Sequence, residues 1–165
     1  MPHGRLNAQL AEFYTAHRQE LFSYALSLAG SPVPAEDAVA EAFANVLQTG
    51  RTPSDLRPYL FRCVRNAAFD ALRREGRERK ALASYAVLYS ETCEPGARDT
   101  AAEWLTCLAD HEREWVVLKV YGDLTFRQIG EVCGVPQGTV ASSYWRCLQK
   151  LRALLNPPIQ QENQL

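Results

Sequence analysis

The stretch Thr125–Leu151, TFRQIGEVCGVPQGTVASSYWRCLQKL, leaves the chain few folds to choose from. It reads as two short amphipathic helices joined by a tight turn. Thr125 is placed to cap the first helix through its hydroxyl, and Gln128 to reach back, a capping box worth roughly 1 kcal/mol. Gly134 supplies the left-handed residue that ends this helix, and Val135-Pro136 prevents its continuation. Val140, Tyr144, Cys147, Leu148, Leu151 and Leu155 then recur at the spacing of one helix face. The other face carries Ser142, Ser143, Arg146, Gln149 and Lys150, which all donate hydrogen bonds and include no acid. A helix with a buried stripe, a donor stripe and a short partner before it is a helix-turn-helix, the shape that fits a major groove.

A net charge of −1 argues weakly against a nucleic-acid partner, but the average hides a segregation. Arg57–Lys80 has eight basic and three acidic residues (+5), and Gly138–Leu155 has three basic and none acidic (+3). Met1–Gly50 has two against five (−3), and Ala81–Gln137 has four against nine (−5). Two basic segments alternating with two acidic ones suit a chain that touches nucleic acid at two places and something else between them. No apolar run approaches the roughly 18–20 residues of a membrane helix, and the N-terminus has no signal-peptide pattern. Five scattered cysteines (Cys63, Cys93, Cys107, Cys133, Cys147) form no CxxC pair, and His3, His17 and His111 lie far apart. These are expected to be reduced, mostly buried thiols of a cytoplasmic protein, with a zinc site or redox switch as the alternative.

Taken in order, Leu6–Ala29 is expected to be a long helix with Leu10, Phe13, His17, Leu21, Tyr24 and Leu28 on one face. His17 reads as a packed, hydrogen-bonded histidine rather than a ligand. Pro34–Gln48 is a second helix, with Glu36 and Asp37 in its first turn and Val39, Phe43, Val46 and Leu47 toward a core. Its polar stripe of Asp37, Glu41, Asn45 and Gln48 is either solvated surface or a docking face for a basic partner. Ser54 is expected to cap a third helix running to about Arg74, with Leu60, Phe61, Val64, Ala67, Ala68, Ala71 and Leu72 inward. On its other side Arg62, Arg65, Asn66, Phe69 and Arg73 recur at three- and four-residue steps. Arginines interleaved with an aromatic can neutralise phosphates while a ring stacks on an unpaired base, the bland alternative being a solvated basic face. Residues 76–100 read as a linker, in which Tyr85, Val87, Leu88 and Tyr89 pack on something. Ala101–Leu108 and His111–Tyr121 are two more helices, the latter capped by Asp110, with Trp104, Leu105, Leu108, Trp115, Leu118 and Val120 as core. Residues 157–165 are a polar tail. The fold class is all-α: two small helical domains (1–75 and 101–156) joined by a linker, the C-terminal one a helix-turn-helix.

Two blocks resemble the RNA polymerase sigma factors, specifically the small two-domain extracytoplasmic-function type. AEDAVAEAFANVL at Ala35–Leu47 and LRPYLFRCVRNAAFDALRR at Leu56–Arg74 are similar to two helices of the family's first domain. HEREWVVLKVYGDLTFRQIGEVCGVPQGTVASSYWRCLQKLRALL at His111–Leu155 resembles its −35-reading domain. The resemblance implies that Asp37, Glu41, Asn45 and Gln48 contact core RNA polymerase. It implies that loop Thr49–Asp55 with Arg62, Arg65, Asn66 and Arg73 holds the melted −10 strand of promoter DNA. It places Gln137, Thr139, Ser142, Ser143, Arg146 and Lys150 at the −35 groove and its phosphates. It further implies an anti-sigma factor as partner, a monomer when free, and neither cofactor nor catalysis by the chain itself.

Departures from the family pattern bear on detail. Ala141 and Ser143 stand where lysine or arginine is common, so phosphate attraction is weaker, by roughly one unit of salt slope per lost contact. Ala38 and Ala40 replace a usual leucine and glutamine. Trp145 is expected to buttress the turn, the alternative being a contact to sugar or a thymine methyl. Two rival readings are a polymerase-independent helix-turn-helix regulator and an enzyme using Cys93 or Cys107 with His111. No phosphate loop, nucleophile elbow or metal spacing supports the latter.

Overall fold

The structure, a computed structural model, describes residues 2–51, 53–76, 105 and 107–156, with side chains from residue 4 onward. The linker patch Tyr85–Tyr89, Cys93, Trp104, most of the Ala101–Leu108 helix and the polar tail lie outside the described residues.

The N-terminal unit is three helices. Helix α1 spans Pro2–Ala29, α2 Pro32–Thr49 and α3 Leu56–Glu75. The expected stripe of α1 is buried at Leu10, Leu21, Tyr24 and Leu28, with Phe13 only partly covered and Leu6 buried in addition. His17 sits half-buried at its edge, packed on Phe13 at 4.5 Å between centroids, with an Arg57 guanidinium nitrogen 3.2 Å from its ring. Helix α2 starts at Pro32, because proline's fixed φ suits a first turn. Glu36 and Asp37 therefore lie past the first turn, where the helix dipole no longer favours them. Its buried face is narrow and alanine-rich (Ala35, Val39, Ala42, Val46, with Ala38), which lets it approach its neighbours closely. Leu47, expected in the core, falls outside that stripe and is 45% exposed. Gly50, at φ 62°, ends the helix and donates its N–H to the Val46 carbonyl.

Helix α3 is capped by Asp55 rather than Ser54: the Asp55 carboxylate accepts the Arg57 N–H at 3.3 Å. Leu60, Phe61, Val64, Ala67 and Ala68 are buried as expected, while Ala71 and Leu72 are only partly covered, since α3 outruns the core there.

The described C-terminal helices are α4 (Asp110–Val120), α5 (Phe126–Cys133) and α6 (Gln137–Leu155). Asp110 lies inside α4 and not at its cap. Its end is tied instead by Glu112, whose carboxylate accepts the Ala109 N–H at 3.0 Å. The inward positions of α4 are Trp115, Val117 and Leu118, so Val120 turns outward and is 61% exposed, contrary to the sequence pattern. Leu155 is also exposed, because α6 continues beyond the helices that cover its first half.

The two units are docked on each other. Helix α5 lies along α3, and α4 reaches α1. The buried apolar residues from Leu6 to Val140 form one continuous cluster across both units.

Candidate nucleic-acid interface

Helices α5 and α6 are set by local chemistry. The Thr125 hydroxyl accepts the Gln128 N–H at 3.2 Å, and the Gln128 side-chain oxygen accepts the Thr125 N–H at 2.9 Å, the reciprocal cap read from the sequence. Gly134 takes φ 70°, which a side chain rarely adopts. Gly130 has a different reason to be glycine: a Cβ there would stand 2.5 Å from the Val135 carbonyl oxygen. The turn folds back that tightly because the Val135 N–H donates to the Gly130 carbonyl at 3.0 Å.

Helix α6 then presents Gln137, Thr139, Ser142 and Arg146 to solvent. Ser143 is a correction. It is buried, on the line of Val140 and Cys147, and its Oγ accepts from Arg146 at 3.1 Å. Three-residue spacing from Val140 was the available signal, since it puts position 143 on the inner face. Lys150 is half-exposed, but its Nζ sits 3.1 and 3.2 Å from the two oxygens of Glu112. Burial alone would raise the Glu112 carboxyl, but the Ala109 N–H and Lys150 outweigh it and hold the group below its ordinary 4.5. Trp145 does not buttress the turn. It is 60% exposed, with the Tyr144 ring beside it at 6.2 Å. Its place one turn beyond Ser142 and beside Arg146 puts an indole in the middle of the outward face.

On α3, Arg62, Asn66 and Arg73 are exposed, Arg73 pairing with Asp70 at 2.8 Å. Arg65 departs from the expected solvent-facing row. Its Nε donates to Glu114 at 2.7 Å and its Nη2 to the other Glu114 oxygen at 3.4 Å. The guanidinium also lies 4.5 Å from the centre of the Phe69 ring. Tyr24, fully buried, donates its hydroxyl to the same Glu114 at 2.7 Å. Burial, and then the Glu114 charge, push the Tyr24 hydroxyl well above its ordinary range, so it remains a donor.

On α2, Asp37, Asn45 and Gln48 are exposed as the stripe requires, and Glu41 lies 3.7 Å from Arg74. Beside the stripe runs a groove of about 940 Å³ between α1 and α2, lined by Leu10, Tyr14, Phe22, Val39, Phe43 and Leu47 among others. Sequence reasoning missed it because Leu47 and Phe43 read as core.

Among the described residues no group of three or more His, Cys, Asp or Glu is placed to hold a metal ion. The Cys133 thiol is pushed up to about 12 by burial and by Glu114, which leaves it protonated and unreactive. No described helix is long and apolar enough to cross a membrane.

Comparison with known proteins matches residues 13–78 to sigma-70 region 2 and residues 104–153 to sigma-70 region 4. The chain is 24% identical over 160 residues to the ECF RNA polymerase sigma factor SigM of Bacillus subtilis, covering 92% of this chain and 98% of that one. It is 29% identical over 161 residues to the ECF RNA polymerase sigma factor SigL of Mycobacterium tuberculosis, covering 90% and 89%. Among solved structures, its fold is similar to the sigma factor RpoE in complex with the anti-sigma factor NepR from Bartonella quintana. That likeness has a TM-score of 0.66 and 21% identity over 91% of this chain and 98% of that one. It is also similar to CnrH in complex with the cytosolic domain of CnrY, with a TM-score of 0.65 and 21% identity over 94% and 92%.

Proposed function

The chain belongs to the sigma-70 family, in its extracytoplasmic-function group, and on that premise we propose how its surfaces divide promoter recognition. As a sigma factor it binds core RNA polymerase and directs initiation to particular promoters. The polymerase makes the bonds, and this chain supplies specificity.

The observation that carries the division is the pairing of a correctly capped helix-turn-helix with a separate basic helix in one chain. Helix α6 enters the −35 major groove with Gln137, Thr139, Ser142, Trp145 and Arg146. Each good base contact adds roughly 1–3 kcal/mol of discrimination, and Trp145 contributes apolar contact to sugar or a thymine methyl. Ser143 and Lys150 support this helix from within its own domain. On α3, Arg62, Asn66 and Arg73, joined by Arg65 when it is released, hold the melted −10 strand, with the loop before α3 alongside. Stacking and charge there offset the cost of unpairing bases. Asp37, Glu41, Asn45 and Gln48, with the α1–α2 groove beside them, face core polymerase: an acidic rim around an apolar seat fits a basic amphipathic helical element. The solved relatives carry anti-sigma partners, and an anti-sigma factor covering these same faces is the expected regulator here. The free chain is a monomer.

Run-off transcription tests this, with core polymerase and a pool of genomic fragments. Promoter-specific transcripts are expected only when the chain is added, and their absence on every fragment overturns the reading. A mobility shift without polymerase addresses the regulator alternative: strong, dimeric binding of duplex DNA by the chain alone would favour it.

A further inference from the structure

Ser143 is the odd member of its row. It lies 5% exposed on the inner face of α6, between Val140 and Cys147, which are both fully buried. Alanine would serve the packing better there, being the stronger helix former and having no hydroxyl to desolvate. The hydroxyl has another use. Its Oγ accepts a hydrogen bond from Arg146 Nη2 at 3.1 Å, three residues nearer the C-terminus of the helix.

Arg146 is the only basic residue from Gln137 to Gln149, the part of α6 assigned to the −35 groove. It is exposed, and among the described residues it meets no carboxylate. Lys150 differs, since its ammonium is held by both oxygens of Glu112. Arg146 stands nine residues after Gln137, about 14 Å along the helix axis. Base edges are read chiefly from the N-terminal part of such a helix. A long side chain in the third turn can lie toward either end. The bond to Ser143 decides which, because it draws the guanidinium back by one turn toward the groove-reading end. One of the five N–H hydrogens is spent on Ser143, and four remain. A guanidinium held in one plane presents two parallel donors. In the major groove their match is the O6 and N7 of guanine. Adenine sets an amino donor beside its N7, thymine a methyl beside its one acceptor, and cytosine offers an amino donor, so none of them takes both hydrogens.

We propose that Ser143 is a positioning residue for −35 recognition: it aims Arg146 at the O6 and N7 edge of one guanine. The inference rests on the proposed function and names the base that this face selects. Ser143 itself touches no DNA. It holds one arginine rotamer before the duplex arrives, and ordering a side chain of this kind in advance is worth about two- to tenfold in binding.

The test uses holoenzyme, formed from the full chain and core polymerase, on a promoter fragment recovered from the genomic pool by run-off transcription. Every single-base change is made across its −35 region, and transcripts are measured for the parent chain, Ser143→Ala, Arg146→Ala and the double variant. The parent should require guanine at one position, where other bases lower output about fivefold or more. Arg146→Ala should abolish that requirement at that position alone. Ser143→Ala should weaken it at the same position by about two- to tenfold, and the double variant should match Arg146→Ala. 7-Deazaguanine at that position, which lacks the N7 acceptor, should cost the parent severalfold and leave Arg146→Ala unaffected. Two further measurements separate positioning from folding and from charge. Ser143→Ala should unfold at or above the parent's temperature by circular dichroism. Its holoenzyme should keep the parent's salt dependence in filter binding, because the arginine's charge remains. An unchanged guanine requirement in Ser143→Ala overturns the positioning role. A loss spread evenly over all positions also overturns it, since Ser143 would then serve packing alone. If the position that Arg146→Ala relaxes calls for a base other than guanine, the assignment of the base is overturned. If the parent chain yields no promoter-specific transcript on any fragment, the function beneath the inference fails, and the inference with it.

Discussion

The two helices proposed to face DNA are built in opposite ways. Helix α6 turns two of its expected contacts inward for its own domain, Ser143 into the core and Lys150 onto Glu112, and leaves the rest of its outward face exposed, with Arg146 donating to Ser143. Helix α3 keeps Arg62, Asn66 and Arg73 exposed, Arg73 paired with Asp70 on the same helix, but lends Arg65 to the other domain. The charges on α6 are therefore fixed by local folding, and those on α3 depend on how the units are arranged. The exposed face of α6 carries one arginine, Arg146, among neutral donors and an indole, so its non-specific attraction for nucleic acid is expected to be small. An arginine-rich face has a large non-specific attraction for nucleic acid, and sequestering one arginine reduces it.

The comparison can be broken most severely at Gly130. Gly130→Ala forces a methyl against the Val135 carbonyl, and overpacking of that kind costs about 1–3 kcal/mol. Thermal unfolding followed by circular dichroism should show the loss, together with loss of −35 duplex binding, while a change confined to α3 would leave the turn untouched.

A sharper cut removes reading without unfolding. Trp145→Ala and Arg146→Ala should each weaken discrimination between a −35 duplex and its scrambled control by about 1–2 kcal/mol, roughly five- to thirtyfold. Arg146→Ala should also flatten the salt dependence by up to about one unit of slope, and Trp145→Ala should not. Filter binding of the holoenzyme across a salt series distinguishes them. Equal salt effects of the two would mean that the indole is not an apolar contact.

Lys150→Ala is expected to act on stability rather than on DNA. The pair with Glu112 is half-exposed on the lysine side, so screening limits the loss to about 0.5–1 kcal/mol. Urea unfolding should register it, with −35 salt dependence unchanged. A drop of a full unit in that slope would restore Lys150 to the phosphate contacts.

The smallest effect is one of pH. Glu112 is held below its ordinary 4.5 in the folded chain, so its contribution is present above that value and is lost as pH falls through the lower, folded value. Stability measured by urea unfolding should decline from about pH 5 downward, and Glu112→Gln should shallow that decline. An unchanged slope in the variant would show that the Ala109 and Lys150 contacts do not favour the charged carboxylate.

Much of this was legible in the chain itself. The cap formed by Thr125 and Gln128, the left-handed Gly134 and most of the buried rows of α1 and α3 follow from the sequence, because each depends on residues within one or two turns, while Phe13, Ala71 and Leu72 are only partly covered. The misses share a cause. Leu47 and Val120 read as core and stand outside it, since which apolar residue turns inward depends on where neighbouring helices lie. Ser54 and Asp110 lost their caps to residues one position away, a choice settled by backbone geometry at the helix entry. Trp145 read as a buttress because an indole is usually covered.

What the sequence by itself determined is the described helices, the cap and turn of the helix-turn-helix and the family, because near-neighbour sterics and hydrogen bonds act wherever the chain goes. What only the tertiary structure decided is the pairing of residues far apart: Arg65 with Glu114 across 49 positions, Gln128 with Asp55 across 73, Tyr24 with Glu114 across 90. A charged side chain on a helix face reads the same in sequence whether it meets water, a phosphate or a buried carboxylate. Its partner is chosen by the packing of whole helices, which brings α4 and α5 onto α1 and α3 and places Glu114 against Arg65.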